Sequence, residues 1–522
     1  MNHRKVLEAV MLKRLKSLAV ASLVACSLTL GGASAFAANN DKAPWDKGAP
    51  TTGSLTIEKV KDGTKEPVPG AEFTVTPVIS VVKKSFDLKT EKGWKDLAKQ
   101  VDDLNNGGAT PTLGTPTKMK TNQDGTAKFA DLTVGLYKVE ESKVPAGYSS
   151  DVKPFYITIP QITKGANGSK NPVYTYDVTV QPKNKDVSSL VTKTADTTKT
   201  VVPGDTISYT IEAGINKTKE SKGADVTKDD LQGYTVFDDA PNNTYTNLTD
   251  GVKKVTVGDQ ELLKDADYMI DGTEFTPGTN PPNSSTRLKV KFTDKGLEKI
   301  ATAVNQKPDV KVKVDLTFTI DAKYNKDEIV NKFGFIPGYN KTNGETPADP
   351  VVPEKKGGAD PDPNPKTVFR NFQIKKVSAK ADTELLSGAK FKLFADKVDA
   401  ERCAQDPSGT DNCKNASTFG EKSTNDRGVT DQVKAIVGKT FYAVETEAPE
   451  GYARSNQVTE VNIPENNLDD PYEVEIENVP TSDSGNWFTL PKTGATGVII
   501  FALAGLALVA AGTGLYLFGR KS

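Results

Sequence analysis

Histidine is all but missing from this 522-residue chain: the single one, His3, sits at the extreme N-terminus. Cysteine is rare, with three residues, and neither sign of charge dominates, since 67 Lys and Arg face 68 Asp and Glu. That balance leaves no electrostatic footprint for nucleic acid or an anionic membrane. Arg4, Lys5, Lys13, Arg14 and Lys16 precede an apolar run from Leu18 to Leu30 and the small-residue stretch Ala35-Phe36-Ala37. This order reads as a secretory signal over 1–37, cut before Ala38, with Met11 an alternative start. Its removal takes away His3 and Cys26. The exported chain then holds no histidine, which excludes histidine triads, histidine metal sites and Cys/His pairs, and with them most secreted hydrolases. No catalytic constellation and no cofactor or metal site is expected. Cys403 and Cys413 remain, an even pair in an oxidising compartment, and read as a disulfide closing a short loop, the alternative being two surface thiols.

What is present begins at the other end. Leu490-Pro491-Lys492-Thr493-Gly494 is followed by an apolar stretch from about Gly497 to Phe518 and by Arg520-Lys521. The stretch is long enough to span a bilayer as a helix, and the basic pair keeps its end in the cytoplasm. Alone, that is a membrane-anchored tail. The pentapeptide, span and basic tail over 490–522 together resemble the cell-wall sorting signal of Gram-positive surface proteins. The resemblance implies cleavage by a sortase between Thr493 and Gly494, transfer of the Thr493 carbonyl to an amine, only transient membrane anchoring, and attachment to peptidoglycan.

Between these ends the chain is rich in Val, Thr, Ile, Gly, Pro and Asn and carries short alternating runs such as Ser54 to Val60 and Tyr472 to Glu477. Period-two alternation bounded by turn residues predicts half-buried strands, hence an all-β chain of tandem β-sandwiches. Minor helices are expected around Ser85 to Asn105 and Asp294 to Val304. At roughly 100–200 residues per domain, three fit. Two segments echo each other. Ile57-Glu58-Lys59-Val60, Pro69 to Val75, Tyr137 to Ser142 and Pro145 to Tyr148 return as Ile374-Lys375-Lys376-Val377, Ser387 to Leu393, Phe441 to Thr446 and Pro449 to Tyr452. They bracket an unlike middle, and a Pro- and Asp-rich stretch from about Ala348 to Pro365 marks one joint. The expected domains are 50–185, 186–365 and 366–480.

The repeated pattern resembles the immunoglobulin-like B-type domains of the collagen adhesin family, and Phe441 to Tyr452 is similar to the E-box of sortase-assembled pilins. Ser142 and Val144 depart from that box in the first copy. The resemblance implies an intramolecular isopeptide bond per domain, between a buried, deprotonated lysine and an asparagine beside a protonated carboxyl. By position the sets are Lys59, Asn184 and Glu141; Lys376, Asn478 and Glu445; and, in the middle, where the family uses an aspartate, Lys193, Asn331 and Asp238, preferred to Asp239. Tyr174 to Asn184 resembles the pilin motif, with Lys183 at the lysine position, Tyr174 in place of Trp and Gln181 in place of Tyr. This implies a major pilin: Thr493 of one subunit joined to Lys183 of the next in a covalent head-to-tail polymer, served by pilus-specific and housekeeping sortases. Tip and base pilins and a host surface ligand are further implied partners. The alternative is a wall-anchored adhesin that never polymerises, or sits at a tip or base; Lys183 discriminates, because a tip needs no acceptor.

Overall fold

The computed structural model describes residues 42–481, apart from 83, 106–107, 165–171, 220–223, 276–284, 356–360, 410 and 467–469. The expected signal, sorting motif and membrane span lie outside those residues. Among the described residues no helix is long and apolar enough to cross a membrane. The chain divides into two compact units. One holds residues up to Asp196 with Ser208–Thr319 and Ile329–Lys366; the other holds Thr197–Ile207, Ile320–Glu328 and everything from Thr367.

The first unit contains two sandwiches. In the first, Thr52–Glu58 lies between Asp177–Val180, parallel to it, and Thr126–Thr133, antiparallel. The opposing sheet runs Phe155–Ile159, Gly135–Lys143, Glu72–Val81, with short strands added at its edge. Alternate residues of these strands, among them Leu55, Ile57, Phe73, Val75, Phe129, Val139 and Val178, point inward and form one core. That is the period-two pattern the sequence carries. Helix Glu91–Ala98 starts at Thr90, whose hydroxyl accepts from Gly93 N–H, and Val101–Asn105 follows it. Leu97 and Leu104 join Val81 and Leu88 in a second, smaller core.

The second sandwich pairs a five-stranded sheet, ordered Val191–Asp196, Thr206–Gly214, Lys311–Thr319, Val252–Val257, Gln260–Leu262, with a four-stranded one, Tyr268–Phe275, Ser285–Phe292, Thr235–Pro241, Lys332–Ile336. Helix Asp294–Gln306 is capped by Thr293 and buries Leu297, Ile300 and Val304. The segment 345–349 ties the two sandwiches. Lys217 bridges Glu345 and Asp151, the Thr346 hydroxyl donates to the Glu141 carbonyl at 2.5 Å, and Lys143 pairs with Asp349 at 3.1 Å.

In the second unit Lys366–Ser378 carries Tyr472–Asn478 in parallel on one side and Val433–Ile436 and Ala381–Leu385 in antiparallel pairing. Its companion sheet is Lys422–Ser423, Lys390–Phe394, Thr440–Glu447, Val458–Asn462. Helix Lys397–Gln405 was not expected. The Asp396 carboxylate caps it, accepting from Val398 and Asp399 N–H, and its buried face of Ala400, Cys403 and Ala404 packs with Phe394 and Val444. Cys403 and Cys413 are joined in a disulfide, with Cα atoms 4.7 Å apart.

Candidate functional site

Each sandwich buries one lysine among apolar side chains. In the last, the lysine lies on the opening strand and the asparagine on the closing one, and the two run parallel; in the first, Lys59 is the one residue between strands Thr52–Glu58 and Val60–Lys61, both paired in parallel with the closing segment that carries Asn184. Lys376 is opposite Ile476, and Asn478 is two residues further, on the same face. Ile57 is opposite Val180 and Val60 opposite Lys183, so Lys59 falls opposite Pro182 with Asn184 again two residues on. The glutamates arrive from the other sheet at a register shift: Glu141 lies opposite Phe73, and Glu445 opposite Phe391. A bulge there turns the carboxylate toward the lysine. The same phenyl rings wall in the amines, at 5.5 Å from Lys59 Nζ and 5.9 Å from Lys376 Nζ.

The contacts are close. Lys59 Nζ donates to Glu141 Oε2 at 3.0 Å, and Asn184 Nδ2 donates to Glu141 Oε1 at 2.8 Å. In the last sandwich Lys376 Nζ donates to Asn478 Oδ1 at 2.7 Å and lies 3.6 Å from Glu445 Oε1, which accepts from Asn478 Nδ2 at 2.8 Å. In the middle sandwich Lys193 Nζ meets Asp238 Oδ2 at 2.5 Å and the backbone carbonyl of Asn331 at 3.4 Å, over the Tyr209 ring at 4.3 Å. Asp239 is engaged elsewhere, in a two-pronged pair with Arg287 at 2.7 Å on both contacts. All nine residues of the three sets are buried.

Burial shifts the protonation of the three lysines and of Asp238. It pushes the Lys59 and Lys193 ammonium groups down against the opposing pull of Glu141 and Asp238, and brings Lys376 to about 8 against the pull of Glu445. The Asp238 carboxyl is pushed up by the same burial, with Lys193 opposing. A neutral amine beside a carboxamide and a proton-bearing carboxyl is the arrangement needed for amide exchange. The side-chain oxygens of Asn184 and Asn331 are buried without a hydrogen-bond partner. Natural folds rarely leave such atoms alone without a functional reason.

Sequence reasoning missed the residues that hold these sets in place. Ser150 Oγ donates to Glu141 Oε2 at 2.6 Å, while Ser455 N–H donates to Glu445 Oε2 at 2.7 Å. Gly125 and Gly428, at φ 71° and 66°, offer their carbonyls to Lys59 and Lys376 N–H, both at 2.7 Å. A Cβ on either would stand 2.5 or 2.9 Å from the lysine carbonyl. The signal was available as a further echo, Thr121-Asn122-Gln123-Asp124-Gly125 against Thr424-Asn425-Asp426-Arg427-Gly428.

Lys183 opens strand Lys183–Asp186, one residue before Asn184. Strand alternation therefore sends the two side chains to opposite faces: Asn184 is 1% exposed, whereas the Lys183 side chain keeps 23% exposure and lies 3.6 Å from Asp62 Oδ1. Tyr174, at the motif's start, packs edge-on against Trp45. Leu490, Pro491, Thr493 and Gly494 lie outside the described residues. Among the described residues no group of three or more acidic, cysteine or histidine side chains could hold a metal ion.

Residues 53–171 and 370–480 match the family model for the SpaA prealbumin-like fold domain, and 483–522 match the LPXTG cell wall anchor motif. Fimbrial subunit type 2 of Actinomyces naeslundii is 27% identical over 88% of this chain and 84% of its own. Fimbrial subunit type 1 of Actinomyces viscosus is 27% identical over 94% of this chain and 95% of its own. The full-length major pilin SpaD from Corynebacterium diphtheriae shares the fold, with a TM-score of 0.51 at 22% identity, covering 82% of this chain and 98% of that one.

Proposed function

We infer that this chain is a major pilin of the sortase-assembled Gram-positive kind, exported and cell-wall anchored, and the shaft subunit of a surface pilus. The reading joins two prealbumin-like domains, an LPXTG anchor and fimbrial relatives spanning nearly the whole length. Its role is structural rather than enzymatic, and it extends a fibre that supports adhesion. The three expected domains, 50–185, 186–365 and 366–480, would each be one rod segment.

Within each segment the chain's own residues would make one bond. Lys Nζ, whose neutral form burial favours, attacks the Asn side-chain carbonyl carbon. The carboxyl of Glu141, Asp238 or Glu445 donates to the carboxamide and carries the proton to the departing nitrogen. An amide forms between the two side chains and one ammonia leaves. Because first and last strands are the ones joined in the outer domains, tension on the termini would load a covalent bond before the sheet could shear. The cross-link would also slow unfolding outside the cell, where no chaperone refolds the chain.

Between subunits, the sortase cysteine would attack the Thr493 carbonyl and release Gly494. The Lys183 amine would then attack the thioester and release the enzyme thiol. Donor and acceptor are different groups of one subunit, Thr493 and Lys183, so the contact would be heterologous and would repeat into an open filament. A pilus-specific sortase would build the polymer and a housekeeping sortase would transfer its base to peptidoglycan, with tip and base pilins as further partners. The observation that carries this reading is the placement of Lys183, half-buried but reaching solvent on a strand whose next residue is locked inside the domain. Immunoblots of cell-wall extracts test it: the wild type gives a high-mass ladder that collapses to monomer in Lys183→Ala. Anchored monomer alone in the wild type would favour the adhesin that does not polymerise.

A further inference from the structure

Acylation at Lys183 would change the charge of its surroundings, and those surroundings are acidic. Asp62 sits in the turn after the first strands, where its N–H donates to the Asn184 carbonyl at 2.7 Å and Gly63 continues the turn at φ 77°. This backbone contact sets the Asp62 carboxylate 3.6 Å from Lys183 Nζ. The neighbouring Lys61 already serves two carboxylates, Asp186 at 3.0 Å and Glu66 at 3.4 Å. Two cations, Lys61 and Lys183, thus face three anions, Asp62, Asp186 and Glu66. Conversion of the Lys183 ammonium into a neutral amide leaves one cation against three anions, and Asp62 is the carboxylate whose ion partner disappears.

The incoming subunit carries a replacement. Lys492 directly precedes Thr493, the residue whose carbonyl enters the bond. Neighbouring Cα atoms are about 3.8 Å apart, well within the reach of a lysine side chain. We propose that Asp62 is a recognition carboxylate for the donor strand: it orients the Lys183 amine before the joining step and pairs with Lys492 of the joined copy after it. The proposal rests on the reading of Lys183 as acceptor and Thr493 as donor. The Asp62 carboxylate is largely exposed, so the pair acts on encounter and orientation and weakens with salt.

Two differently tagged full-length copies in one strain test it. The donor copy carries Lys183→Ala and so cannot accept; the acceptor copy carries Thr493→Ala and so cannot donate. One mixed dimer is then the only product that joins the two tagged copies, read by immunoblot and normalised to cleaved donor so that altered sortase recognition is counted separately. Lys492→Glu in the donor, or Asp62→Lys in the acceptor, should each lower the dimer yield about three- to ten-fold. The two changes together, one in each copy, should recover the share that the Asp62–Lys492 pair contributes, giving a yield above either single change but below the unaltered pair, because the carboxylate that orients Lys183 is still missing. Yields indifferent to both changes, or a swapped pair no better than the single changes, would overturn the proposal. No dimer even from the copies with Asp62 and Lys492 intact would refute the Lys183–Thr493 reading itself, and the proposal with it.

Discussion

Replacing Glu445 by glutamine removes the proton carrier of the last domain while keeping its shape. The new side chain can accept through its single amide oxygen from Asn478 Nδ2 or from Ser455 N–H but not from both, so one of those contacts is lost while Lys376 keeps its packing against Phe391. The cross-link would not form. The bond from Lys376 to Asn478 spans 102 residues, and closing a loop of that size lowers the unfolded state's entropy by roughly 4.7 kcal/mol. At about 4–8 °C per kcal/mol for a domain of this size, its melting transition should fall by roughly 20–35 °C. Losing the ion contact between Lys376 and Glu445 at 3.6 Å acts in the same direction. Intact mass and scanning calorimetry of the exported part read both effects. The wild type should fall short of its sequence mass by three ammonias and the variant by two, with only the C-terminal transition moved. A variant with the wild-type mass deficit would refute the carboxyl's role. A variant that lost the bond but not the melting temperature would refute its energetic weight.

Three further outcomes follow from the same geometry. Burial brings the Lys376 amine to about 8 before any cross-link, against 10.5 in the unfolded chain, and Asn478→Ala, which cannot cross-link, should keep that depression because the lysine stays buried. Between those values the unfolded state binds the proton that the folded state has lost. Stability should therefore rise with pH from 8 to about 10.5, by on the order of 3 kcal/mol, and Lys376→Met in the same background should abolish the rise in a urea titration. Gly428→Ala sets a Cβ 2.9 Å from the Lys376 carbonyl at a φ of 66°, so it should displace the lysine and leave an uncross-linked fraction visible by mass. Asp238→Asn should cost the middle domain its ammonia loss. Asp239→Asn should leave that loss intact while destabilising the fold in urea titration, because the buried two-pronged charge pair between Asp239 and Arg287 is lost.

Legibility in the sequence followed the repeat. Where two copies could be laid side by side, the lysine, glutamate and asparagine positions emerged from matching strands, and the structure brings each of those sets together. The middle set had no second copy and rested on Phe237-Asp238-Asp239. Alternation along that strand is what separates the two aspartates, sending one to Lys193 and the other to Arg287. Helix Lys397–Gln405 escaped because its buried face is only Ala400, Cys403 and Ala404, too small and too polar a stripe for periodicity to reveal. Its Asp396 cap was the readable sign. Ser150 and Ser455 were invisible for a different reason: they reach the glutamates by tertiary contact, one through its hydroxyl and the other through its backbone. Asp62 likewise gains its meaning only from the parallel pairing that lays Val60 and Lys61 beside Lys183 and Asn184.

The most direct test of the central claim is protease digestion and mass spectrometry of the polymer from cell-wall extracts. A branched peptide joining the Thr493 carbonyl to the Lys183 side-chain nitrogen is the predicted result. A branch at another lysine would move the acceptor. Thr493 found only on wall peptide would contradict the shaft reading outright.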